Sequence, residues 1–290
     1  MIPASFDYVR PGSLEEVLAI LRDREGEAKV LAGGYSLLPL MKLRLAQPAL
    51  LVDIQALDGL DGIARADDWW RIGGRTTHRG IMLHDALGAD HGAIRDAAGG
   101  IGDPQVRNWG TIGGSCAHAD PSSDWPAVLQ ALGASFVCRS ASGERVVPAR
   151  GFFVDAFQTG IEATEVLTEV RVPIARPRSG SAYEKLERRA GDFATVGVAA
   201  SVQLGDGGRI AAAGIALTAV GDAPFASGDA EAALVGAPPG EEAFAAAGRA
   251  AAAESRPVAD GHGPVDYKRA MVREITVRAL RRAAERAAAA

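Results

Sequence analysis

Cysteine is scarce in this chain, which has only Cys116 and Cys138 among its 290 residues. Two cysteines cannot build a disulfide framework. Alone, they also cannot supply the four thiolates that hold a typical iron–sulfur cluster. Any such cluster that works with this protein must therefore lie in another chain.

Long apolar runs and an excess of positive charge are also missing. No uninterrupted apolar segment approaches the ~20 residues that a membrane span needs. The N-terminus has neither the cationic start nor the apolar core of a signal peptide, so the sequence predicts a cytoplasmic protein without a membrane span. The net charge is -5, with 31 basic and 36 acidic residues, and nucleic acid is therefore not an expected partner.

The usual nucleotide-binding strings are absent as well. Neither G-x-G-x-x-G nor a P-loop string occurs, and Gly99-Gly100-Ile101-Gly102 lacks the third glycine of the former. If the chain holds a nucleotide cofactor, it must do so with a fold other than the Rossmann fold.

The length favours two or three domains. Ser13 is placed to cap an early helix, and residues 79–98 are predicted to form a helical region. The segment Ile174–Gly180 is rich in proline, arginine and glycine and is the best candidate boundary. Beyond it, residues 196–204 and 210–220 alternate like paired strands.

Two segments of similar design are predicted to be glycine loops: Val30-Leu31-Ala32-Gly33-Gly34-Tyr35-Ser36 and Thr111-Ile112-Gly113-Gly114-Ser115. Each follows a short apolar stretch, has paired glycines and continues with a hydroxyl residue. Glycine pairs allow positive φ angles that turn backbone N–H groups toward one point, where they bind anionic oxygens. Two such groups of converging N–H donors, called nests, suit the two linked phosphates of a pyrophosphate. Each segment could also be an ordinary tight turn.

Two further interpretations remain open at this stage. Gly113-Gly114-Ser115-Cys116-Ala117 imitates a nucleophile elbow, with His118 and Asp120 nearby, so a serine hydrolase that uses Ser115 is an alternative. A cofactor-free assembly subunit is another. His118 and Asp120 are too few for a metal site, and the Asp120-Pro121 pair is more typical of a turn.

Three long strings make the chain recognisable: Ala32–Pro48, Ile101–Leu132 and Tyr183–Ala194. Together they resemble the FAD-binding medium subunit of the xanthine dehydrogenase and carbon monoxide dehydrogenase family, the molybdenum hydroxylases. The resemblance runs nearly end to end.

The resemblance implies an α+β fold with an FAD-binding portion of the vanillyl-alcohol-oxidase type at residues 1–175, in subdomains of about 1–57 and 58–175. Residues 176–290 would form an α+β C-terminal domain with a small antiparallel sheet and helices, of the CO dehydrogenase flavoprotein type. The implied partners are a small subunit with two [2Fe–2S] clusters and a large subunit with molybdenum pterin, in a dimer of heterotrimers.

The same resemblance assigns the FAD site residue by residue. The pyrophosphate and ribityl cradle is assigned to Lys29, Val30, Leu31, Ala32, Gly33, Gly34, Tyr35, Ser36, Leu37, Thr111, Ile112, Gly113, Gly114 and Ser115. Ile101 is similar to an apolar contact, and Asp124 to an acidic residue that reaches the adenosine. Val166 and Leu167 are similar to residues that pack on the flavin or adenine, and Lys185 to a lysine near the flavin.

Two positions depart from the family pattern. Tyr35 stands where a smaller polar residue such as Gln or His is common. Phe193 stands where many relatives have an aromatic residue close to the isoalloxazine, but it lacks the hydroxyl of the tyrosine found in some of them. The implied function is electron transfer from the partner's clusters through FAD to an external acceptor, with no catalytic acid or base in this chain. The substrate and the acceptor, whether NAD, quinone, cytochrome or oxygen, stay open.

Overall fold

A small parallel sheet opens the chain. The computed structural model describes all residues from 1 to 290. Its first elements are β1 (Asp7–Val9), α1 (Leu14–Asp23), β2 (Ala28–Leu31), α2 (Leu37–Lys42) and β3 (Leu50–Asp53). Strand β3 lies in the middle and pairs in parallel with β1 on one side and β2 on the other.

The predicted cap of α1 is confirmed. The Ser13 hydroxyl accepts a hydrogen bond from the Glu16 N–H, which satisfies one of the free donors of the first turn. Val17, Leu18 and Leu21 recur at helical spacing and are buried against the sheet.

A five-stranded antiparallel sheet with helices at its side follows. Its elements are β4 (Ile63–Ala66), β5 (Trp69–Gly73), α3 (His78–Met82), α4 (Asp85–Asp90), α5 (Gly92–Gly100), α6 (Pro104–Trp109), α7 (Ile112–His118), α8 (Asp124–Ala131), β6 (Ser135–Ser140), β7 (Gly143–Pro148), β8 (Phe153–Asp155), β9 (Gln158–Thr159) and β10 (Val166–Pro173). The strand order is β4-β5-β10-β6-β7, so β10 is central, while β8 and β9 form a separate hairpin.

The prediction of a helical region over residues 79–98 is confirmed, and three short helices, α3, α4 and α5, occupy it. His84 and His91 have extended backbone angles and separate the helices. The imidazole of His84 accepts from the Leu87 N–H, and the ring Nε2 of His91 lies 2.7 Å from the Pro173 carbonyl oxygen. His84 thus caps the N-terminus of α4, and the helical region is divided at these two histidines.

The C-terminal part is a four-stranded antiparallel sheet covered by helices. Its elements are β11 (Ser179–Leu186), β12 (Val196–Leu204), β13 (Ile210–Thr218), β14 (Phe225–Ala226), α9 (Gly228–Ala232), α10 (Glu241–Glu254) and α11 (Val265–Ala289). The predicted pairing of residues 196–204 with 210–220 is confirmed by the β12–β13 ladder. The division of the chain after residue 175 stays a prediction.

A clamp of charged side chains joins the C-terminal part to the preceding helices. The Asp96 carboxylate, on α5, accepts from both terminal nitrogens of Arg286 at 2.7 and 3.0 Å and from Arg282 at 3.0 Å. It also accepts from the Tyr183 backbone N–H at 3.1 Å. Four donors thus converge on one carboxylate that is 14% exposed. We call this cluster of Asp96, Arg282 and Arg286 the Asp96 clamp.

Candidate functional site

The first glycine segment presents a row of unused backbone donors. It connects the end of β2 to the start of α2, and Gly34 takes a φ of 79°. The backbone N–H groups of residues 32–37 make no hydrogen bond within the chain. Ser36 precedes α2 but its side chain does not cap the helix. Six consecutive amides next to a helix N-terminus are therefore available to an anionic ligand.

The second glycine segment differs from the prediction, because it is the first turn of a helix rather than a loop. Gly113 and Gly114 lie in α7, and neither has a positive φ. The Thr111 hydroxyl caps the helix by accepting from the Gly114 N–H at 3.1 Å. The Gly113 N–H donates to the Gly74 carbonyl oxygen at 2.8 Å. This segment therefore offers the hydroxyl groups of Thr111 and Ser115 rather than a row of free amides.

The first glycine segment packs against Trp109 and Gly110, which directly precede the second segment, and we call this contact the junction. A Cβ atom added to Gly33 would lie 2.2 Å from the Trp109 carbonyl oxygen and 2.9 Å from the Gly110 Cα atom. Only glycine permits this approach, because side-chain rotation cannot relieve a contact between a Cβ and a backbone. The fold therefore places the row of free amides beside the residues that precede Thr111, although 77 positions separate Gly33 from Gly110 (110 − 33 = 77).

A third stretch, around Gly74, completes this junction. The Gly74 N–H donates to the Thr168 carbonyl oxygen at 2.7 Å, and the Gly74 carbonyl accepts from Gly113. A Cβ at Gly74 would lie 2.3 Å from the Leu167 carbonyl oxygen. The segment that contains the predicted contacts Val166 and Leu167 is thus packed against the second glycine segment. Sequence reasoning missed the role of Gly74, although the Gly73-Gly74 pair was a visible signal.

Asp124 and Lys185 lie together in a buried polar cluster, which we call the Asp124 cluster. One carboxylate oxygen of Asp124 accepts from the Tyr183 hydroxyl at 2.5 Å, and the other lies 3.5 Å from the Lys185 Nζ. Lys185 also donates to the carbonyl oxygens of Gly100 at 2.8 Å and Asp192 at 3.1 Å. The lysine thus ties together the loop that carries Ile101 and the loop that carries Phe193.

Burial raises the pKa of the Asp124 carboxyl to about 6, and the neighbouring Lys185 charge opposes the rise. Burial and the same carboxylate raise the pKa of the Tyr183 hydroxyl well above its ordinary value, so Tyr183 stays the proton donor of the pair. Because the folded chain holds the Asp124 proton more tightly than the unfolded chain does, this carboxyl contributes stability below its ordinary pKa of 3.8. The contribution is lost as the pH rises through about 6.

We expect the Asp124 carboxyl to titrate near pH 6 and Tyr183→Phe to move its midpoint upward. The substitution removes a hydrogen bond that stabilises the carboxylate, while the buried ring is retained. Carbon-13 NMR of the aspartate side-chain carboxyls measures both midpoints. A midpoint that stays in place or falls in Tyr183→Phe would contradict the assigned hydrogen bond.

The two aromatic residues that depart from the family pattern are both exposed. Tyr35 is 42% and Phe193 54% exposed. Phe193 lies two residues after Gly191, which has a φ of 83° and packs against the Gly102 carbonyl. The loop of Phe193 therefore packs on the loop that follows Ile101. Both rings are free to contact a bound aromatic group.

The geometry does not favour the hydrolase alternative. The Ser115 hydroxyl makes no hydrogen bond to His118, whose ring instead packs at 5.1 Å from the Phe157 ring. Asp120 accepts from the Ser122 N–H at 2.8 Å, which confirms its predicted role in a turn. No group of three or more His, Cys, Asp and Glu side chains is arranged to hold a metal ion. No helix combines the length and apolar character that a membrane crossing requires.

Comparison with known proteins decides the family. The family described as "FAD binding domain in molybdopterin dehydrogenase" matches residues 4–175, and the "CO dehydrogenase flavoprotein C-terminal domain" matches residues 181–283. The chain belongs to the FAD-binding medium subunits of molybdenum hydroxylases. As in that family, it has a mixed α+β fold with an FAD-binding domain followed by a flavoprotein C-terminal domain.

Relatives of this medium subunit cover it from end to end. It is 42% identical to the carbon monoxide dehydrogenase medium chain of Hydrogenophaga pseudoflava, over 99% of this chain and 100% of the relative. It is 37% identical to the 6-hydroxypseudooxynicotine dehydrogenase complex subunit alpha of Paenarthrobacter nicotinovorans, over 99% and 97% of the two chains. A chain of the reconstituted CO dehydrogenase from Oligotropha carboxidovorans superposes with a TM-score of 0.96 at 40% identity, over 99% and 100% of the two chains.

Proposed function

We propose that this medium subunit transfers electrons from [2Fe–2S] clusters of a small partner subunit to an external acceptor. A large partner subunit with molybdenum pterin would oxidise the substrate, and two such heterotrimers would form the complete enzyme. The relatives differ in the substrates that their names state, so the substrate is not assigned from this chain. Its two buried cysteines fit a division of labour in which the clusters lie in another chain.

The row of free amides in the first glycine segment is the observation that carries this proposal. FAD has a diphosphate whose oxygens require hydrogen-bond donors, and the N–H groups of residues 32–37 are donors without a partner in the chain. The hydroxyls of Thr111, which caps α7, and of Ser115 would add donors from the second segment. Backbone dipoles would thus bind a dianion in a protein with a net charge of -5.

The other predicted residues would orient the rest of the cofactor. Ile101, Val166 and Leu167 would supply apolar contacts, and Phe193 would cover one face of the flavin ring. Lys185 would fix the loops of Ile101 and Phe193 through its bonds to the Gly100 and Asp192 carbonyls. The adenosine contact of Asp124 would have to form beside its bonds to Tyr183 and Lys185, since these engage both carboxylate oxygens.

Bound FAD can take up electrons singly and release one or two, and this protein would hold it in place without acting as an acid or base. The hydrolase and assembly-subunit alternatives gain no support from a specific contact in the fold.

The purified native complex provides the test. Its partner chains are identified by mass, and carbon monoxide, purines, aldehydes and nicotine-like heterocycles are screened for anaerobic bleaching of its visible spectrum. We expect one substrate class to bleach both cluster and flavin absorption. In the complex stripped of FAD, only the clusters should bleach, and reduction of the acceptor should be lost until FAD is restored. Undiminished reduction of the acceptor without FAD, or partners without clusters, would refute the proposal.

A further inference from the structure

The two glycine segments are linked by a hydrogen-bonded connection through Gln55 and Arg75. Gln55 lies just after β3, and its side-chain amide donates to the Ala32 carbonyl oxygen at 2.7 Å. The Gln55 backbone N–H donates in turn to the Asp53 carboxylate at 2.8 Å. The side chain of Gln55 therefore reaches the first glycine segment from a fixed point on the sheet.

Arg75 continues the connection to the second segment. Its guanidinium donates to the Gln55 carbonyl oxygen. Its neighbours in sequence are both bonded to the start of α7, since the Gly74 carbonyl accepts from Gly113 at 2.8 Å and the Thr76 carbonyl accepts from Ile112 at 3.0 Å. The path from Ala32 to Gly113 thus needs only Gln55, Arg75 and Gly74.

The charge of Arg75 is only partly compensated within the chain. Its side chain is 20% exposed, and its nearest carboxylate, on Asp61, is 3.4 Å away and itself half exposed. Its buried Nε has no hydrogen-bond partner. Holding an incompletely paired guanidinium in this partly buried position costs folding free energy. A dianion bound at the adjacent junction would offset the imbalance, because charge interactions weaken only with the inverse of distance.

We propose that Gln55 and Arg75 are positioning residues for the FAD diphosphate. They set the separation of the two glycine segments, and Arg75 adds a positive charge beside the junction. This inference rests on the proposed function. It predicts that the pair matters for the diphosphate of FAD and not for the isoalloxazine ring, so FAD and riboflavin should respond differently to its loss.

The test measures dissociation constants of FAD and riboflavin for the full chain after removal of bound flavin. Losing a hydrogen bond from a charged group corresponds to roughly a ten- to hundredfold change. We therefore expect Arg75→Met to weaken FAD binding by about 30-fold, Arg75→Lys to recover part of that loss, and Gln55→Ala to weaken FAD binding about tenfold. The riboflavin constant should change less than about threefold. Arg71→Met is the matched control, since Arg71 is an exposed arginine on β5 that pairs with Glu169, and it should leave both constants unchanged.

Equal weakening of FAD and riboflavin would overturn the inference, because it would indicate a general structural role. So would an unchanged FAD constant in both Arg75→Met and Gln55→Ala. If the unsubstituted chain itself fails to bind FAD, the proposed function fails first. If one variant does not fold, which its melting temperature and circular dichroism report, the other still decides the outcome.

Discussion

Gly33→Ala should raise the dissociation constant for FAD by at least about 100-fold, which corresponds to ~2.7 kcal/mol. The added methyl group would lie 2.2 Å from the Trp109 carbonyl oxygen and 2.9 Å from Gly110. Both obstacles are main-chain atoms, so the glycine segments must move apart to accommodate it. The donors of residues 32–37 and the hydroxyls of Thr111 and Ser115 would then no longer face one ligand.

Absorbance titration of the deflavinated chain with FAD measures this effect. Gly207→Ala is the matched control, because a Cβ at Gly207 meets no atom within 4 Å. It should bind FAD as the unsubstituted chain does. Normal FAD affinity in Gly33→Ala, in a chain whose circular dichroism is unchanged, would show that the close approach of the two segments is irrelevant to binding.

Asp96→Ala should lower the free energy of unfolding by about 2–4 kcal/mol, because it leaves two guanidiniums and a backbone amide without their shared acceptor. Asp96 accepts from Arg282, Arg286 and the Tyr183 N–H. The two arginines are 40% and 34% exposed, so water screens part of the loss and keeps it below the value for a fully buried pair.

Urea denaturation of the full chain measures the change. Asp85→Ala serves as the control, since Asp85 pairs with Arg95 at 3.5 Å through a fully exposed side chain. Its removal should leave the unfolding free energy nearly unchanged, because solvent screens a fully exposed ion pair. Equal effects of the two substitutions would mean that the Asp96 clamp stabilises the chain no more than an ordinary surface ion pair does.

Local sequence signals predicted those features that depend on neighbouring residues. The Ser13 cap needs only Glu16, and the β12–β13 pairing follows from two alternating runs on either side of a glycine turn. The second glycine segment was mistaken for a loop because paired glycines are typical of turns. The hydroxyl of Thr111, three residues before Gly114, was the signal for a helix start.

Long-range contacts set the rest of the candidate site, and no local pattern predicts them. The residues next to Gln55 in sequence form no recognisable motif, and only the folded chain brings its side-chain amide to the Ala32 carbonyl oxygen. The Tyr183 hydroxyl reaches Asp124 across 59 positions. The resemblance to a family identified Asp124 and Lys185, but only the fold shows that the Tyr183 hydroxyl donates to Asp124.

The central position of β10 in its sheet affects how the protein folds during translation. Strand β5 pairs with β10, and Gly73 finds its partner Glu169 only after 96 further residues have been synthesised (169 − 73 = 96). During translation the edge of β5 stays open, and the nascent protein has an unpaired strand that can join another chain. FAD binding also requires β10, since the Gly74 N–H, beside the candidate site, donates to the Thr168 carbonyl oxygen in that strand. Nascent chains halted before β10 should therefore require chaperones and fail to take up flavin.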